Sequence, residues 1–154
     1  MTTSPTSELD SLSEYPDWLE VAKTYARCHR TLTERLAPLY LSVAQHEVLL
    51  AVARDEGLSQ QLLARRLLVV KSNVSAMLQR LESRGLVRRE SDEADARGRR
   101  VFLTTKGKRL LRKSVAVHAD VVRIMTSDLS DAQVSQLGRI MRTVGSSLER
   151  AEQT

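Results

Sequence analysis

One cysteine, one tryptophan, one phenylalanine and three prolines stand among 154 residues, and each scarcity excludes something. The lone Cys28 cannot close an intrachain disulfide, so a cystine-stapled secreted scaffold is ruled out. Aromatics make up 3% of the chain and glycines number 6, too few of either for a typical sandwich or barrel. No apolar run approaches the ~20 residues that cross a bilayer, and no charged-then-apolar leader follows Met1. The expectation is therefore a cytoplasmic protein with no membrane partner. A Gly-rich phosphate loop, a nucleophile motif and a framed pair of acids are also missing, so neither an enzyme nor a cofactor is expected. The histidines are His29, His46 and His118; with Cys28 and Glu47 they offer no tight ligand spacing, and no metal site is expected.

What the chain does have is helix-forming composition and a divided charge. Leu, Ala, Arg, Glu and Gln abound, and 42% of residues are hydrophobic, enough for one compact, mostly α domain. The formal net charge is +5, yet Ser59–Lys113 alone holds 15 Lys/Arg against 5 Asp/Glu. Such a block attracts phosphates through counterion release; by itself it also suits a solvated surface or anionic lipid.

Residues 1–15 are Ser/Thr-rich without an apolar period and read as a flexible arm; residues 16–154 read as a single domain. From Pro16, apolar residues recur at three- and four-residue steps through Leu36, predicting a helix over 16–37 that stops near Pro38. Ser42 and Gln45 have capping-box spacing for a second helix that Gly57 can end. Ser59 can cap a third, carrying Leu62, Leu63 and Leu67, and a fourth at Ser72–Arg84 places Val74, Met77, Leu78 and Leu81 on one face. After Gly85, Leu86–Glu90 and Arg100–Leu103 pair as a hairpin. The order predicts a winged helix-turn-helix lobe over about 42–104 with a two-stranded β-wing. Thr104 can cap a long helix, and Ser130 with Gln133 opens a last one; together they cover 105–150. The apolar stripes of 16–37 and 105–150 exceed what a small winged core covers. They read as dimerisation helices of a twofold homodimer, which would present two recognition helices to half-sites one DNA turn apart.

On the fourth helix the inward residues fix the outward ones: Ser72, Asn73, Ser75, Ala76, Gln79 and Arg80. Small residues permit close entry to a major groove, Asn73 and Gln79 can read adenine, and Lys71 or Arg80 can reach guanine or phosphate. The hairpin loop places Arg97 near its tip as a minor-groove probe, with Asp95 positioned to hold it and Arg99 beside it. Arg88, Arg89 and Arg100 read as phosphate contacts.

These residues also carry a resemblance. Leu41-Ser-x-x-Gln45, Leu62-Leu-Ala64, Asn73-Val-Ser75, Arg80-Leu-Glu82, Gly85-Leu-Val87, Asp95-x-Arg97 and Leu103-Thr104 follow in order, and the run from Leu41 to Gly107 resembles the multiple-antibiotic-resistance regulator (MarR) family of bacterial transcription factors. The resemblance implies a dimeric regulator of a double-stranded, pseudo-palindromic operator, a repressor released by a small aromatic or acidic effector. Two positions depart from it: Leu68 stands where many members have Gly, and Val70 where many have a Ser or Thr cap. An uncapped start at Val70 would weaken the first turn of the recognition helix by about 1 kcal/mol. Trp18, Tyr25, His29 and His46 are the candidate effector-pocket residues, bordering the place where dimerisation helices and lobe would meet. Cys28 sits on the apolar side of its helix without a resolving partner and reads as an inert, half-buried thiol.

Overall fold

The structure is a computed structural model that describes residues 6–67, 71–91 and 99–152, with the side chains of Lys71 and Ser72 outside the description. Two compact units divide the chain, 1–118 and 119–154.

In the first unit, a single helical turn, α1 (Ser7–Asp10), falls inside the stretch expected to be an arm, and it buries no side chain. The long helix α2 (Tyr15–Leu36) follows, with Pro16 in its first turn and a 3-10 turn at Ala37–Leu39 behind it. α3 (Val43–Arg54) starts at the expected capping box: Ser42 Oγ accepts from the Gln45 backbone N–H, and Gln45 Oε1 accepts from Ser42 N–H, both at 3.1 Å. α4 (Gln60–Arg66) is capped by Ser59, whose Oγ accepts from Leu62 N–H at 3.1 Å. α5 (Lys71–Ser83) is the recognition-helix candidate. Leu68 and Val70, on which the expected capping defect turns, lie outside the described residues.

The wing has one strand more than the sequence predicts. β2 (Val87–Ser91) and β3 (Arg99–Leu103) form the expected antiparallel hairpin, in register from Val87 opposite Leu103 to Ser91 opposite Arg99. β1 (Leu58–Ser59) joins the far edge of β3, giving the order β1-β3-β2. Two residues are too few for an alternation to register as a strand in sequence. α6 (Thr105–Thr126) runs on from β3 through the boundary between the units.

Leu36, Val48, Leu49, Val52, Leu63, Val74, Leu78, Leu81, Leu86, Val87 and Val101 fill the core of the first unit, each nearly or wholly inaccessible. They come from helices and strands alike, so the inward stripe of α5 is buried against its own lobe. Such burial contributes roughly 1.5–3 kcal/mol per large side chain and fixes the helix's rotation about its axis. One polar cluster lies within this unit. His46 is fully buried, its Nδ1 3.0 Å from Ser114 Oγ and its Nε2 3.0 Å from His118 Nδ1. Ser114 gives its only proton to the Leu111 carbonyl, at 3.0 Å. With that bond in place, a neutral His46 ring donates from Nδ1 to Ser114 Oγ and accepts at Nε2 from His118 Nδ1.

The second unit contains α7 (Asp131–Glu152), opened by the expected capping box. Ser130 N–H donates to Gln133 Oε1 at 2.8 Å, and Gln133 N–H donates to Ser130 Oγ at 3.4 Å. No described side chain of α7 is buried.

Candidate nucleic-acid interface

The outward face of α5 follows from what it buries. With Val74, Leu78 and Leu81 turned inward, Asn73, Ser75, Ala76, Gln79 and Arg80 are all exposed. The backbone of Lys71 and Ser72 forms the first turn of the same helix. The face is polar, with only Arg80 formally charged among its described side chains, so amide and hydroxyl groups there are free to meet base edges.

Two sets of bonds seat the helix. At its end, Gly85 adopts φ 68°, a left-handed conformation that glycine reaches without a Cβ penalty. Gly85 N–H donates to the Glu82 carbonyl at 2.8 Å and Leu86 N–H to the Leu81 carbonyl at 2.9 Å, a Schellman closure. The carbonyls that follow are bonded by the start of α6. Lys106 Nζ reaches Arg84 O at 2.8 Å, Thr104 Oγ1 reaches Gly85 O at 2.6 Å, and Thr104 N–H reaches Leu86 O at 3.1 Å. Thr104 Oγ1 also caps α6, accepting from Gly107 N–H at 3.0 Å. Gly107 is required at this crossing, because a Cβ there would run into the Leu86 carbonyl.

The second set joins α5 to the wing. Glu82 accepts three bonds from Arg89: backbone N–H at 3.2 Å, Nε at 2.9 Å and a terminal guanidinium nitrogen at 2.5 Å. The Arg89 hydrogen bonds and charge hold the Glu82 carboxyl below its usual range, against a smaller opposing effect of burial. Arg89, expected to contact phosphate, is thus corrected: its side chain is only 14% exposed and its guanidinium is committed to Glu82. It positions β2 against α5. Sequence reasoning missed Glu82; one signal was available, an acid within a segment that is otherwise strongly basic.

The remaining wing cations differ. Arg88 is exposed, its guanidinium 4.5 Å from the centroid of the cross-strand Phe102 ring and ion-paired with Glu90. Arg99 and Arg100 are exposed at the start of β3. Asp95 and Arg97, the expected wing tip, lie outside the described residues.

The four candidate pocket residues are not brought together as a group. Trp18, Tyr25 and His29 are exposed on α2, Tyr25 at 71%, with the Tyr25 and His29 rings 6.2 Å apart. His46 is instead inside the lobe, bonded to α6 as described, and burial together with the neighbouring His118 lowers its pKa. A buried group whose two ring nitrogens are both engaged by protein is not available to a ligand. Cys28 is half-buried, and no group of three His, Cys, Asp or Glu side chains among the described residues is arranged to hold a metal.

Residues 41–98 match a family model described as the MarR family. The transcriptional regulator HosA of Escherichia coli O111:H- is 33% identical over 102 residues, 66% of this chain and 76% of HosA. The chain belongs to the MarR family. Solved MarR-family structures extend the likeness along the chain. AbsC of Streptomyces coelicolor is 25% identical with a TM-score of 0.81, covering 97% of this chain and 98% of AbsC. A cysteine-to-serine variant of Escherichia coli MarR complexed with operator DNA is 26% identical with a TM-score of 0.80, covering 92% and 99%. The MarR-family winged helix places this chain among DNA-binding transcriptional regulators rather than enzymes. Among the described residues no single helix is long and apolar enough to cross a membrane.

Proposed function

We propose that two copies of this chain bind a pseudo-palindromic operator, repress transcription by occluding a promoter, and are released by a small-molecule effector. The observation that carries the reading is the outward face of α5. Asn73, Ser75, Ala76, Gln79 and Arg80 stand exposed on a helix whose rotation is fixed by its buried stripe and whose angle to the wing is fixed by Glu82 and Arg89. Lys71 and Ser72 open the same helix and join the proposed major-groove contacts. Arg97, held by Asp95, is the proposed minor-groove probe, flanked by Arg99. Arg88 and Arg100 supply phosphate contacts, Arg88 by exchanging Glu90 for a phosphate oxygen. Similarity to a MarR–operator complex over most of both chains supports this arrangement.

The homodimer is supported by apolar side chains left on the surface. Trp18, Leu19 and Val21 on α2, and Leu137, Ile140, Met141 and Leu148 on α7, are exposed at helical spacing. Patches of that kind mark contact surfaces. The domain scheme proposed with it is an arm at 1–15, a lobe near 42–104 and dimerisation helices at 16–37 and 105–150.

Selection of bound fragments from a random duplex pool, repeated across a salt series, tests the reading. The expected result is an enriched palindrome with half-sites about ten base pairs apart and a steep loss of affinity as salt rises. Retention without an enriched motif would reduce the protein to a general phosphate binder, and no retention would end the DNA reading.

A further inference from the structure

α6 begins against the usual charge preference. Its first turn contains no acidic residue, although a helix amino terminus favours negative charge. Lys106, Arg109 and Lys113 instead stand three and four residues apart, a spacing at which like charges repel. Facing them, Arg84 closes α5. These four cations, with Leu39, Leu110 and the nearly inaccessible Leu86, line a cleft of about 270 Å3, and no acidic residue among the described ones lines it. Two of the cations are held by neutral acceptors: Lys106 by the Arg84 carbonyl at 2.8 Å, and Arg84 by Gln45 Oε1 at 3.4 Å. Such bonds fix a cation in place and leave its charge uncancelled. In a second cleft beside α6, by contrast, the lining Lys108 is neutralised by Glu56 at 2.6 Å.

We propose that the first cleft binds a small organic phosphate, with the dianionic head between Arg84, Lys106, Arg109 and Lys113 and the apolar body on Leu39 and Leu110. A single carboxylate would leave most of the positive charge unbalanced, whereas a phosphate offers several acceptor oxygens to several donors. The volume is just below the usual range of about 300–1,000 Å3 for ligand pockets, which suits one ring or a short chain. Because Lys106 and Arg84 also seat the end of α5, such a ligand would act on the recognition helix; that consequence rests on the DNA-binding reading above.

Calorimetric titration of the full chain with phenyl phosphate tests the site, alongside inorganic phosphate, benzoate and the double variant Arg109→Gln/Lys113→Gln. Both substituted side chains are exposed, and matching thermal melts check that the fold is kept. Phenyl phosphate should bind more tightly than either comparison ligand and lose about tenfold or more in the variant. Equal affinity in the variant, or inorganic phosphate binding as well as phenyl phosphate, overturns the proposal. So does a fall in the variant's DNA affinity without phenyl phosphate, which would assign these cations to the DNA backbone. If wild-type protein selects no DNA motif while phenyl phosphate still binds, the DNA reading fails and the site stands.

Discussion

The winged lobe and the last helix use apolar residues at the same helical spacing to opposite ends. Leu78 of α5 is 0% exposed and Leu137 of α7 is 50% exposed, although each sits on an amphipathic stripe. The lobe closes its stripes with its own strands and helices; α7 leaves its stripe on the surface. The difference separates what this chain can stabilise alone from what a second copy would have to cover.

The largest effect should come from the closed region. Leu78→Ala is expected to cost about 2–5 kcal/mol in a denaturant titration, because the cavity lies among residues that cannot collapse freely. Ile140→Asp on α7 should leave the lobe's unfolding midpoint almost unchanged and instead weaken self-association, read by sedimentation equilibrium. A large loss of monomer stability in the α7 variant, with association intact, would break the comparison.

A second contrast lies within β2, between neighbouring arginines. Arg89 is locked to Glu82, while Arg88 faces solvent over Phe102. Glu82→Gln should cost about 1 kcal/mol, allowing for solvent screening of a side chain that is 36% exposed. Because the folded-state Glu82 carboxyl is held low, its contribution is complete above the unfolded value near 4.5 and is lost as pH falls through the folded value. The wild type should therefore lose stability below about pH 4.5 more steeply than the Gln variant.

A smaller effect belongs to His46. Burial and His118 lower its folded-state pKa from 6.5, so the neutral ring is the one the lobe accepts. Its contribution is present above the unfolded value and declines as pH drops below about 6.5 toward the folded value. Denaturant midpoints measured from pH 7 to pH 5 should fall more in wild type than in His46→Gln.

Much of the fold was legible because local rules carried it. Ser42 with Gln45, Ser59, Gly85, Thr104 and Ser130 each punctuate the chain where cap chemistry places them. The outward face of α5 was legible for the same reason, since periodicity alone divides Val74 and Leu78 from Asn73 and Gln79. What escaped depends on pairs distant in sequence. β1 exists only because β3 offers an edge, and Arg89 could not be told from Arg88 until the strand's alternation turned it toward Glu82. His46 looked like a pocket residue until α6 supplied Ser114 and His118, 68 and 72 positions away.

In the proposed function α5 reads sequence while the surrounding arginines supply affinity. The most direct measurement is the ratio of affinities for a selected operator and a scrambled duplex, compared between wild type, Asn73→Ala and Gln79→Ala. The ratio should fall by about tenfold in at least one variant, with scrambled-duplex binding unchanged. An unchanged ratio in both variants would contradict it.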